Sequence, residues 1–181
     1  FVPSATEGTN LNARNGGSDD VLIGDTDVEN DNLTVTEIRI GSTEGSGTSG
    51  SVGSFLNGTY GKLKIRSNGS YKYVPNDVLG ATETGVDWFN YTVSDGNGGT
   101  DTATLKITVT GINDAPVAKN DNNTIDITST SSLTVADGAS KDISGNDTDA
   151  DSSASLSITE IRTGALEGSG SLVTIGQSLI G

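Results

Sequence analysis

The sequence contains no cysteine, no methionine and no histidine. Without cysteine no disulfide can hold a small secreted domain together, so rigidity must come from a core or from bound ions. Without histidine or cysteine the commonest general base and the thiol nucleophile are missing, and zinc loses its usual ligands. No Gly-x-Ser-x-Gly elbow, phosphate-binding Gly-Lys-Ser/Thr loop or dinucleotide fingerprint is present. Paired carboxylates can cleave glycosides, but they need a shaped cleft and a desolvated acid, and the acids here lie in turn-rich stretches. The chain is therefore not expected to be an enzyme. Positive charge is also scarce: 10 Lys and Arg stand against 24 Asp and Glu, for a net charge of −14. Nucleic acid and anionic membrane both require a basic footprint, so neither is an expected partner. No apolar run approaches the roughly 18 residues of a membrane span. No signal peptide opens the chain, so insertion is not expected and export would depend on segments outside these residues.

Glycine, serine, threonine, asparagine and aspartate fill much of the chain, and hydrophobic residues make up only 31%. The apolar residues nevertheless cluster and alternate, which marks a turn-rich β protein with thin cores rather than a disordered chain. The segment Leu33–Gly47 (LTVTEIRIGSTEGSG) returns as Leu156–Gly170 (LSITEIRTGALEGSG), with ten of fifteen positions identical at an offset of 123. The register holds to the end, where Gly181 falls on Gly58. A period of this length is a whole domain, so two copies are expected, 1–112 and the N-terminal part of a second over 113–181. Counterparts of the later strands of copy one are missing from copy two. Either the parent chain continues, or another protomer supplies them.

Strand signals follow one another with no helical period. Leu33–Ile40 alternates but changes phase near Glu37, and Leu156, Ile158 and Ile161 repeat the shift, so a β-bulge is predicted at each Thr-Glu pair. Residues 41–54 read as a Gly/Ser-rich connection. Lys62–Arg66 alternates apolar-in and basic-out, Ser67-Asn68-Gly69-Ser70 supplies a hairpin turn, and Tyr71–Val74 returns. Phe89, Tyr91 and Val93 share a face, as do Ala103, Leu105, Ile107 and Val109. Thr124–Thr128 and Leu133–Val135 read as opening strands of copy two. Short strands at this spacing indicate a β-sandwich.

The chemical signal is carboxylates beside turns. Asp25-Thr26-Asp27-Val28-Glu29 and Asp147-Thr148-Asp149-Ala150-Asp151 precede the two copies of the repeated strand. Oxygen ligands of this kind suit Ca²⁺. An EF-hand is excluded: its loop needs Gly at position six and Glu at twelve, where Asn30 and Thr36 or Ser152 and Ile158 stand. Gly16–Asp25 resembles one unit of a calcium-binding nonapeptide, but one unit cannot build a β-roll, and a Gly-rich turn before a strand is the simpler reading. Asp95 and Asp101 flank the turn after the Phe-Tyr strand, either as ligands or as turn caps. Trp88 is out of phase with Phe89, Tyr91 and Val93 and should face away from the core, covering an edge or stacking on a sugar ring.

Taken in order, Asn57–Ile65, Asn68–Tyr73, Phe89–Ala103 and Thr110–Pro116 resemble the VCBS repeat and the related bacterial cadherin-like domains of large secreted RTX-type adhesins. The resemblance implies an immunoglobulin- or cadherin-like Greek-key β-sandwich in tandem, with the second copy truncated. It further implies calcium where neighbouring repeats of the same chain meet, a secreted or bacterial cell-surface location, and a role in adhesion or biofilm formation. Asn113-Asp114 resembles the cadherin linker pair, Asp149-Ala150-Asp151 the Asp-Ala-Asp loop, and Glu7 the early glutamate. No Leu-Asp-Arg-Glu motif is present, and Glu83 or Asp87 would stand in for it. The expected metal set is Asp25, Asp27, Glu29, Asp95, Asn113, Asp114, Asp147, Asp149 and Asp151. The second reading is a carbohydrate-binding module that recognises cell-surface glycan or exopolysaccharide through Trp88.

Overall fold

Alternation in sequence becomes two faces in space wherever β-branched and aromatic residues occupy every second position. The computed structural model describes residues 3–122, 144–151, 155–162 and 172–173. It divides into two units, Phe1–Asp114 and Ala115–Gly181. No helix occurs among the described residues.

The first unit is a β-sandwich. Its strands are β1 (Ser4–Thr6), β2 (Leu11–Ala13), β3 (Thr34–Ile40), β4 (Ser49–Gly50), β5 (Leu56–Asn57), β6 (Gly61–Ile65), β7 (Tyr71–Pro75), β8 (Thr84–Ser94) and β9 (Thr100–Thr110). One sheet has the order β1-β9-β8-β3-β4 and the other β2-β7-β6-β5. Between β1 and β8 the chain crosses from sheet to sheet four times, so neither sheet is a contiguous stretch of sequence. The core lies where the inner faces meet: Val35, Ile38, Phe89, Leu105, Ile107 and Val109 oppose Leu63, Ile65, Tyr71 and Tyr73, all buried. Tyr73 and Phe89 pack edge to face across it, with ring centroids 6.5 Å apart, the geometry that aromatic quadrupoles favour.

The phase change in β3 is a bulge. Val35 pairs with Val93 and Glu37 with Thr92, leaving Thr36 as the extra residue. The bulge returns both Val35 and Ile38 to the core, although three positions separate them. The β6–β7 hairpin is also as predicted. Gly69 has φ +82° and closes a three-residue loop, with Arg66 N–H donating to Ser70 O at 2.9 Å and Gly69 N–H to Arg66 O at 3.0 Å. A Cβ at Gly69 would overlap Asp20 Oδ1.

Several elements depart from the sequence reading. β1, β2, β4 and β5 were not predicted. Each is two or three residues long, and β1 and β2 each bury one small residue, Ala5 and Ala13. Gly16–Asp25 is a series of turns, and the next strand, β3, begins only at Thr34. Val21 and Leu22 pack on the core while Ile23 is exposed. The repeated Gly41–Gly47 segment closes on Asn90, whose Nδ2 donates to Gly41 O and Ser46 O, both at 3.1 Å. Asn90 Oδ1 accepts from Gly45 N–H at 3.2 Å.

In the second unit Val117 and Thr148 form an isolated bridge. Among its described residues, β10 (Ile161–Arg162) and β11 (Leu172–Val173) pair antiparallel. Residues 155–160 form no strand, Leu156 and Ile158 are exposed, and no second bulge forms at Thr159-Glu160. β3 takes its long ladder from β8, whereas no strand pairs with residues 155–160 among the described residues. The strands predicted at Thr124–Thr128 and Leu133–Val135 lie outside the described residues.

Candidate functional site

The strands of the first unit carry its acidic groups to two opposite ends. At one end the chain leaves β2, wanders through Gly16–Leu33, and returns into β3 beside the β8–β9 turn. This gathers Asp25, Asp27, Asp95 and Asp101 around one recess of about 460 Å³. Asp20 and Asp31 join Asp25 and Asp27 around an adjoining one. Partial burial, then the charges of Asp101 and Asp20, hold the Asp25 carboxyl above its ordinary range. The same field reaches Tyr91, which donates to Val21 O at 2.9 Å. Burial, then Asp25 and Asp20, push its phenol up to about 12.

Most of these carboxylates hold backbone. Asp20 Oδ2 accepts from Gly16 N–H at 2.8 Å and its Oδ1 from Leu22 N–H at 2.9 Å. Asp27 Oδ1 accepts from Glu29 N–H at 2.9 Å and Asp31 N–H at 3.0 Å. Asp95 Oδ1 accepts from Asn97 N–H at 2.7 Å and Gly99 N–H at 3.0 Å, which is the turn-capping role. Asp31 accepts from Asn97 Nδ2 at 2.7 Å, tying two loops together. Glu29 is exposed and lines neither recess. Among the described residues no three Asp or Glu side chains form a group that could hold a metal ion alone.

At the other end β1 runs out beside the end of β9. Glu7 N–H donates to Thr110 O at 3.0 Å, and the Glu7 side chain turns inward, only 2% exposed. Its Oε1 accepts from Val78 N–H and Leu79 N–H, both at 2.9 Å. Its Oε2 is buried with no hydrogen-bond partner. A buried carboxylate with one bare oxygen is costly, and it is what an oxygen-coordinated cation would complete. Gly111 packs against the same Leu79–Gly80 backbone, where a Cβ would overlap Gly80 O. Asn113 and Asp114 follow, with Asn113 Nδ2 donating to Asp114 O. Apart from Glu29, the candidate metal residues of the first unit therefore fall into two sets, Asp25, Asp27 and Asp95 at one end and Asn113 and Asp114 at the other. Glu7 joins the second set, and its sequence flanks alone gave little reason to choose it.

A sandwich with β1 parallel to β9 and acidic groups at both ends invites comparison with known families. The profile of the bacterial cadherin-like domain matches residues 2–111. The chain belongs to that family. Its members are structural, adhesion-type repeat modules rather than enzymes. No curated protein matches the chain.

Within the cadherin-like sandwich, Asp87 is not available to stand in for a ligand motif. It is 3% exposed and accepts from Tyr73 Oη at 2.7 Å, Thr59 N–H at 2.8 Å and Tyr60 N–H at 3.1 Å. Gly58 lies so close that a Cβ would overlap this carboxylate. Glu83 Oε2 accepts from Gly80 N–H at 3.1 Å, in the loop that Glu7 holds. Trp88 faces outward as its phase predicted, 38% exposed, with Lys106 Nζ 5.5 Å from its ring centroid. In the second unit, Asp147 Oδ1 accepts from Lys119 N–H at 2.8 Å and Asp149 Oδ1 from Asp151 N–H at 2.8 Å.

Proposed function

We propose that this cadherin-like module is a calcium-stiffened extender in a large bacterial secreted or surface adhesin of the VCBS type, acting in cell adhesion or biofilm formation. The observation that carries the reading is Glu7 Oε2, a buried carboxylate oxygen without a partner at the end of the sandwich. Glu7, Asn113 and Asp114 would supply ligands to a calcium ion at one end of the sandwich, and Asp25, Asp27 and Asp95 to one at the other end. Asp147, Asp149 and Asp151 give the second unit an acidic turn of the same kind. The ion supplies positive charge to oxygens that backbone N–H groups leave unsatisfied.

Calcium bound only by the folded chain stabilises it by mass action, by about 2.7 kcal/mol at a hundredfold excess over Kd. The test is a calcium titration of thermal unfolding. The midpoint should rise with millimolar calcium, and Glu7→Gln, whose amide oxygen can still accept from Val78 and Leu79, should blunt the rise. A wild-type midpoint indifferent to calcium would refute the proposal.

A further inference from the structure

The four-stranded sheet carries a second signal, independent of calcium. In a chain of net charge −14, its strands β2, β5, β6 and β7 contain three lysines and no Asp or Glu. Leu63, Ile65, Tyr71 and Tyr73 fill the inner face, so Lys62, Lys64 and Lys72 line the outer one. Lys64 lies directly opposite Lys72 across the β6–β7 ladder. Like charges so placed are destabilising. No carboxylate relieves them, because the ion pairs among the described residues are Arg39–Glu37 and Arg162–Glu160. Phe55, 42% exposed, gathers two of the ammonium groups, with Lys62 Nζ at 5.3 Å and Lys64 Nζ at 5.0 Å from its ring centroid. This cation–π contact restricts the two chains before any ligand arrives, which lowers the ordering cost of binding. The lysines are flanked by amides, Asn12 opposite Lys72 and Asn57 opposite Lys62.

We infer that this outer face binds an acidic polysaccharide, a linear glycan bearing carboxylates or sulfates. The face is an open sheet surface whose lysines are rooted about 7 Å apart along a strand and about 5 Å apart across the ladder. An extended polyanion can lie along such an array, with its acidic groups on the lysines and its hydroxyls on Asn12 and Asn57. Two other polyanions fit less well. Nucleic acid has the higher charge density and is repelled by the rest of the protein. It would also find no free aromatic surface for base stacking, because Phe55 is engaged by the lysines. The acidic end of a second copy is recessed, and most of its carboxylates already accept backbone N–H groups.

The test uses the full chain and a fluorescent polyuronate in EDTA, so that calcium cannot bridge carboxylates. Neutral dextran and duplex DNA serve as comparison ligands. Wild type should bind the polyuronate, lose affinity steeply with salt, and ignore dextran. Lys72→Glu places an acid opposite Lys64 and relieves the like-charge pair, so it should melt at or above wild type while binding about tenfold or more weakly. Lys106→Glu changes net charge equally on the other sheet and should bind like wild type. The double variant Lys64→Gln/Lys72→Gln gives the same readout if Lys72→Glu proves unstable. The inference is overturned by no wild-type binding, by binding that survives these changes, by equal loss in Lys106→Glu, or by DNA binding as tightly as polyuronate. Because the assay is run without calcium, its failure would leave the adhesin reading standing, and the reverse holds for the calcium titration.

Discussion

Asp87 and Tyr73 form a charged hydrogen bond inside the sandwich, and removing either partner has a calculable cost. Tyr73→Phe keeps the ring against Phe89 and deletes one O–H donor to a carboxylate. Bonds to charged groups contribute about 1.5–3 kcal/mol. Asp87→Ala removes that bond and also the acceptor for Thr59 and Tyr60 N–H, which lie at a partly wetted edge. Its expected cost is larger, about 3–5 kcal/mol, a substantial share of the roughly 5–15 kcal/mol of an ordinary domain. With an m-value of about 1.5 kcal/mol/M, the urea midpoint should fall by roughly 2–3 M for Asp87→Ala and 1–2 M for Tyr73→Phe. The assay is urea unfolding followed by tyrosine and tryptophan fluorescence for the two single variants and the double. Because both single changes break the same bond, the double variant should cost less than their sum by about 1.5–3 kcal/mol. Strict additivity, or a Tyr73→Phe cost below about 0.5 kcal/mol, would refute the reasoning.

Burial, then the charge of Asp19, raises the Tyr71 phenol from 10.0 to about 12. Tyr91 is raised to the same range, and Tyr73 is raised by burial and by Asp87. A raised folded-state pKa gives stability that is complete below the unfolded value and lost as pH climbs through the folded one. The sandwich should therefore weaken between about pH 10 and 12, by roughly 3 kcal/mol for each of Tyr71 and Tyr91. Tyr71→Phe should remove one such share and leave stability at pH 7 unchanged or higher, since Tyr71 Oη is buried without a partner; urea melts across pH measure both. Asp25 also has a raised folded-state pKa, so its ionised form opposes folding at neutral pH. Asp25→Asn should stabilise the calcium-free fold, by less than about 1 kcal/mol at so exposed a site, and reduce any calcium-induced gain in melting midpoint. Gly69→Ala should cost about 2–4 kcal/mol in chemical denaturation, combining left-handed backbone strain with displacement of Asp20 from the N–H groups that it holds.

The long strands were legible because their side chains obey the pleat. Ala103 to Val109 alternate without error, and the Thr-Glu phase change in Leu33–Ile40 announced the bulge. The short strands were not, because a three-residue segment such as Ser4–Thr6 with one buried alanine has no period to detect. β4 and β5 owe their form to the ladders of β3 and β6, which are tertiary rather than local. Asp87 and Asn90 broke the pattern as polar residues on a strand, buried because loop backbone reaches them. The acidic turn at Asp25–Asp27 could be read from composition and repetition. Its convergence with Asp95 and Asp101 required the β8–β9 turn to fold back over it. Glu7 was harder still, since what singles it out is an oxygen deprived of water rather than a motif.

The parallel pairing of β1 with β9 sets how the sandwich would carry a load. Ser4–Thr6 lie alongside Thr108–Thr110 in register. The contact is extended at its ends by Thr108 N–H to Pro3 O at 3.2 Å and Glu7 N–H to Thr110 O at 3.0 Å. Tension between the start of β1 and the end of β9 pulls along both strands in opposite directions. Their hydrogen bonds are then sheared together rather than unzipped one at a time. Glu7 sits at the end of this clamp and also grips the Val78–Leu79 backbone, so one buried side chain joins the force-bearing pair to the body of the sandwich.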